Sequence, residues 1–437
     1  MFDVWVPLTL VICLGLSAIW RMARARFPHP VDVASIWVIF YTIPLSLVAI
    51  FLPEAGSIVF LHAAAADPNI EIECLHYGTV ALVCLRLGAW LATRSPPSVS
   101  QTLFPLDVRD GGKIVLFIFV LLTQMILGIY LFGTDVFTSG YATESRADTG
   151  NSGQALIYMG VVLIGLTIAY GYLVSLATGK RVAVKICLLA FAALLALAAV
   201  RGKRLEVVSA LLSLLVLMFG TRKAFRSLRG RLLVVLALAM LQTTVGLLRL
   251  GQDLGPGEMA FNLAAEGLFA GHALPGIIEK LETNQVDYEY GKRAVMGVLA
   301  IVPRFLWPDK DELLYEGDKA MEGVTPLGAN SILAEVVLQG GAAAVVLWFG
   351  ILGFAFQRIY SGLDTFDADI ANRRLSSSTI AYLVCITVFI PHFRDGMLPA
   401  IKLTVQCWIY LYALAGLHWT LPLSWGAMMR RRPPAAV

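Results

Sequence analysis

A series of long apolar runs is the feature that most limits how this chain can fold. Hydrophobic residues make up 58% of the 437 residues, and charged residues only 15%. A soluble domain could not bury this much apolar surface, whereas an apolar run of roughly 17–25 residues is long enough to cross a bilayer as a helix. The sequence therefore predicts an all-α, polytopic integral membrane protein.

Hydropathy and run length predict about 11 transmembrane helices, within a range of about 10–14. These spans form one transmembrane helical domain over 1–437, with a large periplasmic loop, 251–330, inserted between the eighth and ninth spans. Within that loop, Glu258–Phe269 is expected to form a short interfacial helix. Ala294–Val302 is expected to form a short re-entrant or interfacial helix that ends at Pro303. The predicted spans are 2–20, 31–52, 75–93, 114–132, 154–177, 184–200, 205–220, 232–250, 331–357, 376–391 and 398–421.

The positions of the basic residues predict the orientation. Lysine and arginine are enriched in cytoplasmic loops of membrane proteins. Twenty of the 34 lysines and arginines fall in loops that the predicted spans place on one side, among them Arg21, Arg24 and Arg26 directly after the first span. This distribution predicts a periplasmic N-terminus and a cytoplasmic C-terminus.

Two basic segments depart from this rule. Arg201-Gly-Lys203-Arg204 lies between two apolar runs, and a second group extends from Arg249 to Lys319, all on the predicted outer side. Gly202 permits a tight turn, and guanidinium groups offer forked donors to phosphate oxygens. The alternative for the first segment is a helical hairpin whose charges are solvated by lipid headgroups. Because topology does not require cations there, we favour binding of an anion.

Three further outer cations are candidates for the same role. Arg249 ends the eighth span, where an arginine can also simply snorkel to the surface. Arg304 and Lys310 project from a segment that two prolines stiffen, and this segment also carries Phe305 and Trp307. The alternative for this segment is an aromatic anchor at the membrane interface.

Two residues are candidate general bases. Glu335 lies about one turn into the outer leaflet, where a carboxylate is unfavourable unless it is paired or faces a wet cavity. It is interpreted either as a base or as the partner of an arginine in a structural ion pair. His392 and Arg394 share a short outer turn, as a base and a phosphate-binding cation. The alternative there is a polar turn bounded by Pro391 and Gly396.

Several chemistries have no motif in this sequence. It contains no P-loop, which argues against ATP as an energy source. It also contains no HExxH motif and no clustered histidines and cysteines, so we expect neither a bound metal nor a cofactor. Few acidic residues lie in the middle of a span, which argues against an ion-coupled transporter. No nucleic-acid partner is expected.

Three segments resemble the Wzy-type bacterial O-antigen and exopolysaccharide polymerases, also called oligosaccharide repeat unit polymerases. Arg201-Gly-Lys-Arg204-Leu-Glu is similar to a basic segment that opens a span in that family. Val302–Lys310 contains the Pro-Arg-x-x-Trp-Pro-x-Lys pattern of their periplasmic loop. Gly328-x-Asn-Ser-x-x-x-Glu335, followed by Gly340 and Gly341, is similar to the next segment. The large loop before the last few spans also fits the family.

The resemblance implies a glycosyltransferase of the bacterial inner membrane, active in exopolysaccharide or lipopolysaccharide biosynthesis. A growing glycan would be transferred from undecaprenyl diphosphate to a lipid-linked repeat unit on the periplasmic face. The expected partners are undecaprenyl-diphosphate-linked oligosaccharide, the lipid bilayer and, as a further candidate, a chain-length regulator protein. An O-antigen ligase is an open alternative. A transporter or flippase of an anionic glycolipid is another, from a different functional class.

The site that the resemblance implies contains both the candidate cations and the candidate general bases. Fixed cations would stabilise the charge that develops on the diphosphate leaving group, and a base would activate the acceptor hydroxyl. The base candidates are Glu335 and His392. The diphosphate-binding candidates are Arg201, Lys203, Arg204, Arg249, Arg304, Lys310 and Arg394.

Overall fold

Helices account for most of the described part of the chain in a computed structural model. The residues that the structure describes are 2–52, 64–95, 102–107, 110–132, 150–179, 204–227, 229–231, 240, 267–302, 306–307, 309, 320–321, 323–324 and 330–417. The helices are α1 Phe2–Arg24, α2 Pro30–Phe51, α3 Pro68–Arg94, α4 Asp110–Phe132, α5 Gly150–Thr178, α6 Arg204–Thr221, α7 Lys223–Arg226, α8 Ala273–Glu282, α9 Lys292–Leu299, α10 Ile332–Ser361, α11 Phe366–Ala371, α12 Ser377–Val384 and α13 Met397–Gly416.

Within the described residues, eight helical segments are long and apolar enough to cross a bilayer, as judged by length and composition. They lie at the predicted first five and last three spans, which confirms an all-α membrane protein. The predicted span 205–220 corresponds to α6, whose apolar part, Val208–Thr221, is shorter than these. The spans predicted at 184–200 and, except for residue 240, at 232–250 lie outside the described residues. The total of about 11 spans and the single-domain organisation stay predictions.

Local sequence signals explain where the best-defined helices begin. His29 caps α2 because its side chain accepts a hydrogen bond from the backbone N–H of Val31, and Pro30 follows at the first helical position. Asp67 caps α3 in the same way through Asn69, and again a proline follows. A cap acceptor followed by proline is a favourable helix start, since proline lacks only an N–H that would have no partner inside the helix.

Glycines allow α3 and α10 to cross in close contact. Gly88 of α3 lies against the carbonyl oxygen of Gly350, and Gly353 of α10 lies against the carbonyl oxygen of Leu85. A side chain at either glycine would overlap the facing backbone. Small residues permit this close approach between membrane helices, where association depends on packing.

Two of the predicted spans are not continuous α-helices. Within α10 the backbone leaves helical geometry at Gly340 and Gly341, and Gly341 has a φ of 59°. The segment after α12 continues as a π-helical turn, Cys385–Phe389, and then as a 3₁₀ turn, Pro391–Arg394. The sequence predicted the spans 331–357 and 376–391 but not these interruptions. Such interruptions within a bundle are common at functional sites.

A two-stranded antiparallel sheet pairs β1, Leu103–Pro105, with β2, Arg374–Ser376. The register places Leu103 opposite Ser376 and Phe104 opposite Leu375. Sequence analysis did not predict this sheet. It joins two loops that the charge distribution assigned to the same side of the membrane.

The ends of the helices form two layers. We call residues 21–32, 102–107, 170–179, 217–231 and 357–382 the inner layer, and residues 283–302, 330–341 and 391–397 the outer layer. Arg26 pairs with Asp367 in the inner layer, and Arg293 pairs with Glu335 in the outer layer. These contacts join segments that were predicted on the same side, which supports the predicted alternation of loops. That the outer layer is periplasmic stays a prediction.

The described part of the predicted large loop contains two short helices. The expected helix Ala294–Val302 is present as α9, Lys292–Leu299, which begins and ends two to three residues earlier and so stops before Pro303. The helix α8, Ala273–Glu282, was not predicted. Residues 258–266 of the other expected helix lie outside the described part of the chain.

Candidate functional site

A buried ionic network lies in the outer layer, with Arg293 of α9 at its centre. The Nε atom of Arg293 donates to Oε2 of Glu289 at 2.8 Å, and its Nη1 atom donates to Oε1 of Glu335 at 3.1 Å. Side-chain exposure is 6% for Arg293, 11% for Glu289 and 2% for Glu335. One buried guanidinium therefore bridges two carboxylates that come from the loop before α9 and from α10.

Glu335 also holds the start of α13. Its Oε2 atom accepts a hydrogen bond of 2.5 Å from the backbone N–H of Met397, the first residue of that helix. A carboxylate at a helix N-terminus is stabilised by the helix dipole and by the N–H groups that lack partners within the helix. Gly396 precedes Met397, and a Cβ atom there would overlap the Glu335 carboxylate. Both oxygens of Glu335 are thus engaged, one by Arg293 and one by the backbone of Met397. The pair with Arg293 agrees with the interpretation of Glu335 as the partner of an arginine.

The same network caps the break in α10. The backbone N–H of Glu289 donates to the carbonyl of Leu338 at 3.0 Å, and that of Tyr290 donates to the carbonyl of Gln339 at 3.1 Å. The Gln339 side chain in turn donates to Glu289 at 2.9 Å. A helix that stops inside a protein leaves carbonyl groups that need partners. The loop before α9 supplies them, so the break and the loop stabilise each other.

His392 lies in the 3₁₀ turn Pro391–Arg394 and is buried. Its Nδ1 atom lies 2.5 Å from the carbonyl oxygen of Val388, and its Nε2 atom lies 3.9 Å from Oδ2 of Asp395. A ring nitrogen that faces a carbonyl must carry the proton, so Nδ1 is the donor and a neutral imidazole has its lone pair on Nε2.

Arg394 follows in the same turn and is partly exposed, with 25% of its side chain accessible. Its Nη1 atom donates to Oδ1 of Asp395 at 3.3 Å. The turn leads directly into Gly396 and Met397, which contact Glu335. The structure therefore brings Glu335, His392 and Arg394 into one region of the outer layer.

Most of the predicted cations cannot be placed relative to this region. Arg201, Lys203, Arg249, Arg304 and Lys310 lie outside the described residues. Arg204 is the first residue of α6, and the structure describes its backbone alone. A site that joins these cations to the buried network stays a prediction.

Sequence analysis did not single out Glu289, Arg293 or Gln339. The spacing of four residues between Glu289 and Arg293 was not a usable helix signal, because Glu289 precedes α9. The pairing of Arg293 with Glu335 depends on how α9 packs against α10. Within the described residues, no group of three or more His, Cys, Asp or Glu side chains is placed to hold a metal ion.

We compared the chain with models of protein families, with curated proteins and with solved structures, and found no match in any of the three comparisons.

Proposed function

We propose that this protein is a metal-independent polysaccharide polymerase of the bacterial inner membrane. In the proposed reaction, a hydroxyl group of a lipid-linked repeat unit attacks the anomeric carbon of a glycan that is linked to undecaprenyl diphosphate. The new glycosidic bond forms as the bond from this carbon to the diphosphate oxygen breaks. Undecaprenyl diphosphate leaves with the electron pair, and the base takes the hydroxyl proton.

The observation that carries this proposal is the turn His392–Asp395. It combines a buried imidazole with a partly exposed guanidinium at one end of the helix bundle, the level at which a lipid diphosphate would lie. Arginine suits a diphosphate because its planar fork matches phosphate oxygens and it stays charged. It would stabilise the developing negative charge of the leaving group. The predicted cations of the large loop would add to this charge.

We assign the base to His392 and a positioning role to Glu335. The lone pair of a neutral His392 lies on Nε2, which can accept a proton. Both oxygens of Glu335 are engaged by Arg293 and by the backbone of Met397. Glu335 would therefore hold the turn that carries His392 and Arg394 in place.

The test is polymerisation by purified protein in detergent, with undecaprenyl-diphosphate-linked repeat units as the only substrate. We expect a ladder of products on a gel. Losing a positioned base or an oxyanion-stabilising group costs roughly 10²–10³-fold in rate, so H392Q and R394A should reduce the ladder to single repeats. R374A is the matched control, since this exposed arginine lies in β2 of the inner layer.

The products also separate the alternatives. A ligase would leave the repeat units unextended and would transfer them only when lipid A core is added. A transporter would form no new glycosidic bond at all. Normal product length with both H392Q and R394A would contradict the assignment of this turn.

A further inference from the structure

The loop between α8 and α9, residues 283–291, exposes two neighbouring tyrosines. Tyr288 is 41% exposed and Tyr290 is 81% exposed. Their ring centroids lie 6.1 Å apart, with an angle of 58° between the ring planes. Two large aromatic faces therefore stand side by side at the surface of the outer layer, next to the capped break in α10.

The chain holds Tyr290 in an unfavourable backbone conformation. Its φ is 44°, in the left-handed region that costs a non-glycine residue roughly 1–2 kcal/mol. Asn284 in the same loop has a φ of 54°. Glycine would adopt such a conformation without strain, and Gly291 follows at once with a φ of 90°. Strain of this kind persists only where the surroundings impose it, and it is concentrated at functional sites.

The surroundings of Tyr290 are rigid. Its backbone N–H donates to the carbonyl of Gln339, and the preceding residue, Glu289, is fixed by Arg293 and by the carbonyl of Leu338. The backbone of Tyr290 is thus held by hydrogen bonds to α10, while its ring stays exposed. A fixed exposed ring binds a flat apolar surface with little loss of side-chain entropy.

A chain of polar side chains leads from Tyr288 to two carboxylates. Tyr288 lies near Tyr77 of α3, and the Tyr77 side chain bonds to Glu73. Glu73 in turn lies within reach of Glu282, at the end of α8. These groups suit a ligand that has an apolar face and many hydroxyl donors. The carboxylates disfavour an anionic ligand, so this surface differs in charge from a diphosphate site.

We propose that Tyr288 and Tyr290 form a platform that binds a neutral pyranose sugar. The C–H face of the sugar ring would stack on the exposed tyrosine ring, and its hydroxyl groups would donate to the carboxylates of Glu73 and Glu282. The inference rests on the proposed function in one respect: the natural ligand is taken to be a sugar of the lipid-linked glycan. The binding itself can be tested without any polymerisation.

The first test uses saturation-transfer NMR of the full-length protein in detergent with free glucose, galactose, mannose and N-acetylglucosamine. The decisive variant is Y290G, because glycine relieves the backbone strain while it removes the ring. We expect the melting temperature to stay level or to rise, and the signal of the sugar ring protons to fall roughly tenfold, as the loss of one stacked aromatic contact predicts. Y130A is the matched control, since Tyr130 of α4 is 83% exposed at a different place.

Two results would overturn the platform. One is an unchanged sugar signal with Y290G, or no sugar signal with the native protein. The other is a sugar signal that Y130A reduces as much as Y290G does. A lower melting temperature with Y290G and an unchanged signal would identify Tyr290 as a membrane-interface anchor instead.

A second measurement separates this inference from the proposed function. In the polymerisation assay, Y290G should raise KM for the repeat unit roughly tenfold and leave kcat unchanged, since stacking contributes to ground-state binding. If Y290G loses the sugar signal and the native protein makes no polymer, the platform stands and the proposed function fails. If Y290G polymerises with the native KM, the proposed function stands and the platform fails.

Discussion

The inner and outer layers of this protein are built in different ways. Besides ion pairs, the inner layer joins its chain segments through neutral hydrogen bonds from side chains to the backbone: the tyrosine hydroxyls of α10 and α12 donate to the carbonyls of Phe27 and Pro28, at 3.2 and 2.8 Å. The outer layer holds its segments through buried charges, with Arg293 between Glu289 and Glu335. Loss of one neutral hydrogen bond costs little, whereas loss of one partner from the outer network leaves other charges buried without compensation.

The two layers contain ion networks with opposite ratios of arginine to carboxylate. In the inner layer, one carboxylate oxygen of Asp32 accepts from both Arg21, at 2.8 Å, and Arg86, at 2.5 Å. In the outer layer, one arginine serves two carboxylates. The inner arrangement agrees with the excess of cations on that side. The outer arrangement places a buried cation on the predicted outer side, where topology does not require one, so we interpret it as a framework for the site.

Left-handed backbone is also concentrated in the outer layer. Among the described residues, the outer layer contains Asn284, Tyr290, Gly291, Gly341 and Gly396 with positive φ, and the inner layer contains Gly179 and Arg373. Strained conformations persist only where the surroundings impose them. The contacts of the outer layer therefore impose unfavourable backbone angles on residues such as Asn284 and Tyr290, which lowers the stability of the folded protein.

The largest effect is expected from R293A. Removal of one partner from a buried ion pair costs about 3–5 kcal/mol, because the other charges stay buried without compensation. Thermal unfolding in detergent should show this loss. K292A is the control on the same helix, with an exposed side chain and an expected change within about 0.5 kcal/mol.

The inner layer supplies the matching comparison. R21A should cost under about 1 kcal/mol, since the Arg21 side chain is 49% exposed and Asp32 keeps Arg86 as a partner. Equal losses for R21A and R293A would show that the two layers do not differ in the way proposed.

Acid should weaken the inner layer first. Burial lowers the pKa of His29 to about 4, from an ordinary value of 6.5. The neutral ring caps α2 by accepting from Val31 through Nδ1 and contacts Gln357 through Nε2, and protonation of Nδ1 removes the cap. The unfolded chain binds this proton below pH 6.5 while the folded protein resists it. Stability therefore falls from pH 6.5 to about 4, by at most about 3 kcal/mol.

Hydrogen exchange measured as a function of pH checks this order of events. Protection of residues 25–35 should fall between pH 6.5 and 4, before protection of residues 289–300. H29N should flatten the profile, because asparagine caps a helix and does not titrate. Simultaneous loss of protection in both layers would contradict a local effect of His29.

Features that depend on neighbouring residues could be predicted from the sequence, whereas contacts between distant segments could not. The apolar runs predicted the spans, because crossing a bilayer is a property of one segment. The break in α10 was missed, since Gly340 and Gly341 within an apolar run indicate only a weaker helix. The pairing of β1 with β2 joins three-residue strands that are far apart in sequence, and strands this short carry little pattern of their own.

The candidate site shows the same difference between local features and long-range contacts. The local environment of Glu335 predicted that it needs a partner, and the structure supplies one. The identity of that partner could not be predicted, because Arg293 reaches Glu335 only through the packing of α9 beside α10 and α13. The turn with His392 and Arg394 was found because all of its polar residues are adjacent in sequence.

A smaller difference is expected between two glycine variants. G396A adds a Cβ atom that overlaps the Glu335 carboxylate, in a backbone region that only glycine adopts easily, with a φ of 96° and a ψ of −176°. G179A meets nothing within 4 Å and strains only the backbone, at a φ of 73°. We expect losses of roughly 2–3 kcal/mol for G396A and about 1 kcal/mol for G179A in thermal unfolding. Similar losses would mean that the Glu335 carboxylate shifts without penalty.

The smallest effect is expected from Y382F in the inner layer. The variant removes the hydroxyl that donates to the carbonyl of Pro28 at 2.8 Å, and a neutral hydrogen bond of this kind contributes about 1 kcal/mol. The ring stays packed against Phe27, and the neighbouring bond from Tyr360 to the Phe27 carbonyl is kept. Unfolding should therefore shift slightly, and polymer length should not change. A large loss of stability from this one hydroxyl would show that the inner layer depends on single side chains as much as the outer layer does.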